Sequence, residues 1–215
     1  MCGIIGAASS RSVGKILIKG LQLMEYRGYD SAGVVLNKDE EILRLRSLGK
    51  VSKLEEIMIS EKPKAFSGIA HTRWATHGAP SEENAHPHGS NDDIYIVHNG
   101  IIENHEEIRG FLRNEGYEIT SETDSELIAH LVHFYKKDTQ DTLQALMKAT
   151  HELNGAYSIA AVCKKEKGKV YAARQKSPLL VGLGIEENFV ASDPLAIVNI
   201  TEKFHMLEDG DFAVV

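Results

Sequence analysis

The sequence has few of the features that mark a secreted, membrane-bound or nucleic-acid-binding protein. It contains only 2 cysteines in 215 residues, too few for a disulfide framework, so a reducing, cytoplasmic setting is expected. No apolar run approaches the ~20 residues of a membrane span. No run of Lys and Arg exceeds a pair and the formal charge is -7, so neither nucleic acid nor an anionic bilayer is an expected partner.

The hydrophobic content of 42% is sufficient for one domain with a substantial core. Apolar residues spaced three and four apart predict helices over residues 13–24, 105–114, 123–135 and 142–153. A capping box of Ser52 and Glu55 predicts a further short helix. Apolar, β-branched runs predict strands at residues 2–7, within 31–46, and through most of the final third. Sheets flanked by amphipathic helices predict a layered α+β domain.

Two further segments bear on function and extent. A polar loop is expected over residues 71–93, and loops of this length are usually functional. The apolar run at residues 212–215 predicts a last strand rather than a frayed tail, so we expect the native protein to be longer.

Cys2 stands directly after the initiator methionine. An unperturbed thiol with a pKa of ~8.5 is mostly protonated at neutral pH, so a nucleophilic cysteine needs a base. After removal of Met1, the α-amino group of Cys2, with a pKa of ~7.7 to 8.0, could take the thiol proton through a bridging water. The alternative is that Cys2 is a small buried residue of the first strand. Cys163, in an apolar run without a terminal amine, is predicted to be a core residue.

Four segments occur in a characteristic order and spacing: MCGIIG at residues 1–6, YRGYDSAG at 26–33, HTRWATHG at 71–78 and HNGIIEN at 98–104. Together they resemble the class II, N-terminal-nucleophile glutamine amidotransferases, and the likeness extends over nearly the whole chain. Residues 121–125, 155–157, 177–179 and 191–193 also resemble later blocks of that family. The YRGYD form is similar to the subfamily whose ammonia acceptor is fructose 6-phosphate.

The resemblance implies a four-layer αββα sandwich of two antiparallel sheets, the N-terminal-nucleophile hydrolase fold. It implies that L-glutamine is hydrolysed to L-glutamate and ammonia through a thioester on Cys2, without a cofactor. Residues 1–215 would be the glutaminase domain of a longer, homodimeric chain whose C-terminal sugar-phosphate isomerase region makes glucosamine 6-phosphate. Two alternatives stay open: a glutaminase domain serving another ammonia acceptor, and a non-catalytic glutamine-sensing module.

The resemblance also assigns catalytic and substrate-binding residues. Asn99 and Gly100 would stabilise the oxyanion with a side-chain amide and a backbone N–H, although the dipeptide alone favours a type I′ hairpin turn. Arg73 would bind the α-carboxylate of glutamine and Asp124 its α-ammonium. Taken alone, Arg73 could be a surface ion-pair residue and Asp124 a helix-start charge.

The remaining assignments concern a lid over glutamine. The resemblance implies that Trp74, Thr76 and His77 contact the substrate, although Trp74 could instead be a core residue. Arg27 and Gly28 are expected to support the site near the nucleophile.

Two patterns suggest other kinds of site. The pair His86 and His88 could suggest zinc, but no HExxH or CxxC spacing accompanies it, so no metal is expected. Gly182 and Gly184 lack the third glycine and the following helix of a dinucleotide loop, and a hairpin turn is predicted there.

Overall fold

The computed structural model describes residues 2–38, 41–74 and 78–215. Within these residues the chain forms five α-helices: α1 (Gly14–Leu23), α2 (Val51–Glu61), α3 (His105–Asn114), α4 (Asp124–Thr139) and α5 (Thr142–His151). Single 3₁₀ turns lie at Glu25–Arg27 and Pro194–Ala196. None of the described helices is both long and apolar enough to cross a membrane.

The strands form two antiparallel sheets. Across the first sheet the strands follow the order β11 (Phe204–Met206), β9 (Leu180–Leu183), β10 (Glu187–Ala191), β1 (Gly3–Ser9), β4 (Ser67–Arg73), β2 (Ser31–Lys38) and β3 (Glu41–Leu48). Across the second sheet the strands follow the order β12 (Phe212–Val214), β8 (Tyr171–Gln175), β7 (Gly155–Cys163), β6 (Ile94–Ile102) and β5 (His88–Ser90).

Three apolar clusters join these elements into four layers. One cluster lies between helices α1 and α2 and the first sheet, and includes Ile5, Leu17, Leu21, Val34 and Leu54. A second lies between the two sheets and includes Ile4, Val35, Ile69, Val97 and Val162. The third lies between the second sheet and helices α3 to α5, and includes Ile96, Leu112, Leu127, Leu146 and Ile159. The predicted αββα sandwich of two antiparallel sheets is therefore confirmed.

Strand β1 is fixed on both faces because successive side chains of a strand point in opposite directions. Ile4 packs between the sheets and Ile5 packs beneath the helices, and both are fully buried. Burying each side chain contributes roughly 1.5 to 3 kcal/mol. β1 also pairs on both edges, with β4 and β10. Cys2, the residue before this strand, therefore has a rigid support.

The sequence predicted most elements but misplaced some ends. Helix α2 begins at Val51, and the predicted capping box of Ser52 and Glu55 is wrong. Its first N–H, that of Val51, instead donates to Glu25 Oε1 at 2.7 Å, a contact across 26 positions of sequence. Three-residue strands β5 and β11 were not predicted.

The predicted loop over residues 71–93 is shorter at both ends. Strand β4 continues to Arg73, and β5 occupies Ser90 and the two residues before it. The segment after Gly182 forms the predicted hairpin turn, in which the Gly184 N–H donates to the Glu187 carbonyl at 2.8 Å.

Candidate active site

Cys2 lies at one end of the central strands of the first sheet, where β1 begins and β4 ends. Gly3 pairs with Thr72, so the register brings Cys2 beside Arg73 and Trp74. The Trp74 backbone N–H donates to Cys2 Sγ at 3.2 Å, and the thiol lies 3.5 Å from the Trp74 carbonyl. Cys2 is partly buried and precedes the strand, so the alternative of a strand core residue is wrong.

The surroundings of the thiol affect its pKa in opposite directions. Burial raises the pKa of Cys2, because a thiolate loses solvation, and this effect is the largest. The Trp74 N–H and the positive charge of Arg73 act the other way and favour the thiolate. Since burial prevails, the thiol needs a base to become a nucleophile.

Asn99 and Gly100 lie on β6 of the second sheet, and Asn99 contacts Cys2 across the gap between the sheets. The Asn99 side-chain Nδ2 donates to the Cys2 backbone carbonyl at 3.1 Å. Both residues pair with β7, so the alternative of a hairpin turn is wrong. Gly100 has a φ of 143°, and a Cβ there would lie 1.9 Å from the Ala156 carbonyl oxygen, so only glycine fits.

Arg73 and Asp124 are both buried, with exposed fractions of 4% and 7%. Arg73 ends β4, and its Nη2 donates to the Gly78 carbonyl at 3.1 Å. Asp124 opens α4, and its Oδ2 accepts from the Ile102 N–H at 2.8 Å. Burial lowers the pKa of Arg73, while the negative charges of Cys2 and Asp124 raise it. The surface ion-pair alternative for Arg73 is therefore wrong, and the two charges influence each other.

Trp74 is 50% exposed, so the core alternative for it is also wrong. Gly28 explains how the 26–29 segment approaches it: a Cβ on Gly28 would lie 2.9 Å from Trp74 Cβ. Glycine at position 28 is therefore required for the close backbone approach. The predicted substrate contacts Thr76 and His77 lie outside the described residues.

Arg27 supports β1 through Ser192 and Asp193. Its Nη1 lies 3.3 Å from both the carbonyl oxygen and Oγ of Ser192, and its Nε lies 3.4 Å from Asp193 Oδ2. Ser192 Oγ in turn accepts from the Ile4 N–H at 2.9 Å. Arg27 therefore fixes the segment that holds the strand behind Cys2.

The buried histidines form a stack between the sheets. His71 and His86 stack with ring centroids 4.0 Å apart, and His86 meets His88 edge-on at 4.7 Å. His88 Nε2 lies 3.1 Å from Thr123 Oγ1. Among residues 2–38, 41–74 and 78–215, no group of three His, Cys, Asp or Glu side chains could hold a metal ion.

Sequence reasoning missed two residues of this site. His71 contacts Asn99, with its Nε2 3.0 Å from Asn99 Oδ1. Ser192 links Arg27 to β1 through the Ile4 N–H. Both residues stand inside segments quoted for the resemblance, but their roles are contacts between distant parts of the chain.

Comparison with known proteins gives the family. Residues 71–199, more than half of the chain, match the family described as the glutamine amidotransferase domain. The chain belongs to this family.

Curated relatives of this amidotransferase domain are much longer proteins. The chain is 54% identical over 217 residues to glutamine–fructose-6-phosphate aminotransferase (isomerizing) of Haemophilus influenzae, and 52% identical over 217 residues to that of Pseudomonas putida. Both alignments cover 100% of this chain but 35% of the relative. The chain therefore spans about a third of the length of these relatives.

Solved structures share the fold of this amidotransferase domain. A glutamine phosphoribosylpyrophosphate amidotransferase from B. subtilis, complexed with ADP and GMP, matches with a TM-score of 0.85 at 23% identity, over 99% of this chain and 47% of that one. A glutamine aminotransferase class-II domain protein from Silicibacter pomeroyi matches with a TM-score of 0.65 at 14% identity, over 99% of this chain and 94% of that one. The predicted N-terminal-nucleophile hydrolase fold is confirmed.

Proposed function

We propose that this domain hydrolyses L-glutamine to L-glutamate and ammonia through a thioester on Cys2, after removal of Met1. The observation that carries the proposal is the contact between Cys2 and Asn99, which brings an amide donor to the nucleophile across two sheets. Family membership supports the same chemistry.

The first step requires that the thiol lose its proton. Because burial raises the pKa of Cys2, the free α-amine exposed by removal of Met1 serves as the base, through a bridging water. The Trp74 N–H, 3.2 Å from Sγ, stabilises the thiolate that results. The sulfur then attacks the side-chain amide carbon of glutamine, and the carbonyl oxygen becomes negative.

Asn99 Nδ2 and the Gly100 N–H stabilise that oxyanion. One such donor is typically worth about 2.7 to 4 kcal/mol of transition-state stabilisation. The intermediate collapses when the carbon–nitrogen bond breaks, and the nitrogen leaves as ammonia with the proton taken from the thiol. Water then attacks the thioester, releasing glutamate and restoring the thiol.

Two buried charges select a free amino acid. The planar guanidinium of Arg73 suits the α-carboxylate, and the carboxylate of Asp124, at a helix N-terminus, suits the α-ammonium. We extend the binding site to Trp74, Thr76 and His77, and we assign Arg27 and Gly28 to its support. These roles stay predictions.

The fate of the ammonia is also proposed. The named relatives support transfer to fructose 6-phosphate to give glucosamine 6-phosphate, in a C-terminal isomerase region of a longer chain. A homodimer and a cytoplasmic location stay predictions, the latter because the nucleophile must remain a reduced thiol. Another acceptor, or a glutamine sensor without turnover, are the competing functions.

The deciding experiment labels the protein with the electrophilic glutamine analogue diazo-oxonorleucine and locates the adduct by mass spectrometry. We expect one adduct, on Cys2, and an N-terminus that begins at Cys2. Cys163→Ala should label to the same extent, whereas Cys2→Ala should not label. Label on Cys163, or turnover by protein that retains Met1, would contradict the proposal. Absence of ammonia release from wild type would favour a sensor.

A further inference from the structure

The side-chain amide of Asn99 has one partner at each end. Its Nδ2 donates to the Cys2 carbonyl at 3.1 Å, and its Oδ1 lies 3.0 Å from His71 Nε2. The oxygen and nitrogen of an asparagine side chain exchange places when the amide rotates by half a turn. Only the nitrogen can donate to an oxyanion, so the orientation of this amide decides whether the site can stabilise the transition state.

The Cys2 carbonyl determines the correct orientation. A carbonyl oxygen can only accept, so the amide nitrogen of Asn99 must face Cys2 and the amide oxygen must face His71. His71 Nε2 must then carry the proton and donate to Oδ1. His71 therefore provides the contact that favours one orientation of Asn99 over the other.

The imidazole of His71 is well suited to this task because it is rigid and neutral. It is 1% exposed and stacks on His86, with an interplanar angle of 22°. His86 is itself fixed, since its Nδ1 accepts from the His98 N–H at 3.3 Å. Burial lowers the pKa of His71 to about 3, so the ring stays neutral through the pH range of an assay.

The position of His71 also couples it to the nucleophile. It lies on β4 directly opposite Ile4 of β1, the strand that begins one residue after Cys2. The same pair of strands therefore holds the nucleophile and, through His71, orients an amide on the other sheet.

We propose that His71 is a positioning residue, which donates from Nε2 to Asn99 Oδ1 and so keeps Asn99 Nδ2 turned towards Cys2. The inference rests on the proposed glutaminase activity. In this proposal His71 acts on the reaction only through its contact with Asn99.

The principal variant is His71→Phe, which keeps a ring to stack on His86 but has no donor. We expect kcat for glutamine hydrolysis to fall about 10- to 100-fold, with KM changed less than about threefold, because the lost donor matters in the transition state. Alkylation of Cys2 by iodoacetamide needs no oxyanion donor and should keep the wild-type rate. His71→Gln, which restores a donor, should recover most of kcat.

Non-additivity is the strictest test. If His71 acts through Asn99, adding His71→Phe to Asn99→Ala should lower kcat by less than about twofold further. Fully additive losses would overturn the proposal. The matched control is His130→Phe, a replacement of another buried histidine, which bonds Ser90 at 2.9 Å and should leave kcat unchanged.

One measurement needs no variant. The ¹⁵N chemical shifts of the His71 ring in wild-type protein should show the proton on Nε2 between about pH 5 and 8; a proton on Nδ1 would overturn the proposal even if His71→Phe fails to fold. Failure of the proposed function gives a separate result: wild type would then release no ammonia. An active wild type with an equally active, folded His71→Phe would contradict only the role of His71.

Discussion

Cys2 and Cys163 stand at the ends of strands in different sheets, and the groups around the two sulfurs differ. Cys2 Sγ is partly exposed and accepts a backbone N–H from Trp74. Cys163 is fully buried at the end of β7, on the face that packs against the helices. Its Sγ accepts from Lys136 Nζ at 2.7 Å.

Under the proposed function, a neighbouring cation does not by itself define a nucleophile. Lys136 is already paired with Asp93 and Glu166, at 3.4 and 3.6 Å, and Cys163 has no open face for a substrate. Cys2 instead combines access with Asn99, a donor on the opposite sheet. Reactivity therefore depends on access and on where the charge of the transition state develops.

The largest expected difference separates the two cysteines themselves. Cys2→Ala should lower glutaminase activity by at least about 10⁴-fold, because no other group can form the thioester. Cys163→Ala should retain activity within about twofold, since its sulfur faces the core rather than the site. Ammonia release, measured for both variants under identical conditions, gives the comparison directly. Turnover by Cys2→Ala would show that Cys2 is not the nucleophile.

Asn99→Ala removes the amide donor that distinguishes the surroundings of Cys2 from those of Cys163. Removal of the amide should lower kcat about 10²- to 10³-fold with little change in KM, because the donor acts on charge that exists only in the transition state. Steady-state kinetics over a range of glutamine concentrations separates the two constants. A rise in KM at constant kcat would mean that Asn99 binds the ground state.

Asp124→Asn should mainly raise KM, by about 10- to 100-fold, because the lost charge is worth roughly 1.5 to 3 kcal/mol to the ammonium of glutamine. Asparagine keeps an oxygen for the Ile102 N–H, so the fold should persist. Asp141→Asn is the matched control: Asp141 caps α5 by accepting from the Gln144 N–H at 2.7 Å, and this variant should leave KM unchanged. Loss of stability without a change in KM would favour the helix-start alternative.

Acid should destabilise the domain through the histidines behind the Cys2 site. Burial lowers the pKa of His71 and of His88 to about 3, against ~6.5 in an unfolded chain. Between these values the unfolded state binds more protons, so the stability present above pH ~6.5 is lost as pH falls. Each group contributes ~1.4 kcal/mol per pH unit.

Urea unfolding at pH 6.0, 5.5 and 5.0 measures this slope, in a range where carboxylates contribute less. Replacing His88 by Leu should reduce the slope by ~1.4 kcal/mol per pH unit. The exposed His205 is the control, and His205→Leu should leave the slope unchanged. Equal slopes in all three proteins would show that the buried rings are not the cause.

Local sequence patterns predicted the helix ends that are determined by neighbouring residues. The bounds of α3 were correct because its apolar spacing ends at Gly116, whose φ of 81° suits a helix end. The start of α4 was found within one residue, since Thr123 accepts from the Glu126 N–H. In contrast, α2 is capped by Glu25, a residue from another element, and no local pattern could show this.

A family pattern of residue types indicated which residues gather around Cys2, but not the contact between His71 and Asn99. The pair of Asn99 with Gly100 resembles a turn until β7 is seen to continue alongside it. His71 falls in a quoted segment, yet its role depends on the distance between β4 and β6. Such distances depend on how the two sheets pack, and local sequence patterns do not predict that packing.

A modest loss of stability is expected when the lysine beside Cys163 is replaced. Lys136→Met should lower the free energy of unfolding by about 1 to 2 kcal/mol, because Asp93 and Glu166 lose their shared cation. Lys137→Met, which removes the neighbouring lysine over the Tyr117 ring, should cost less. Both variants should keep wild-type ammonia release and one fast-reacting thiol towards Ellman's reagent. A second fast thiol in Lys136→Met would mean that the lysine, rather than burial, protects Cys163, and would reverse the distinction drawn between the two sulfurs.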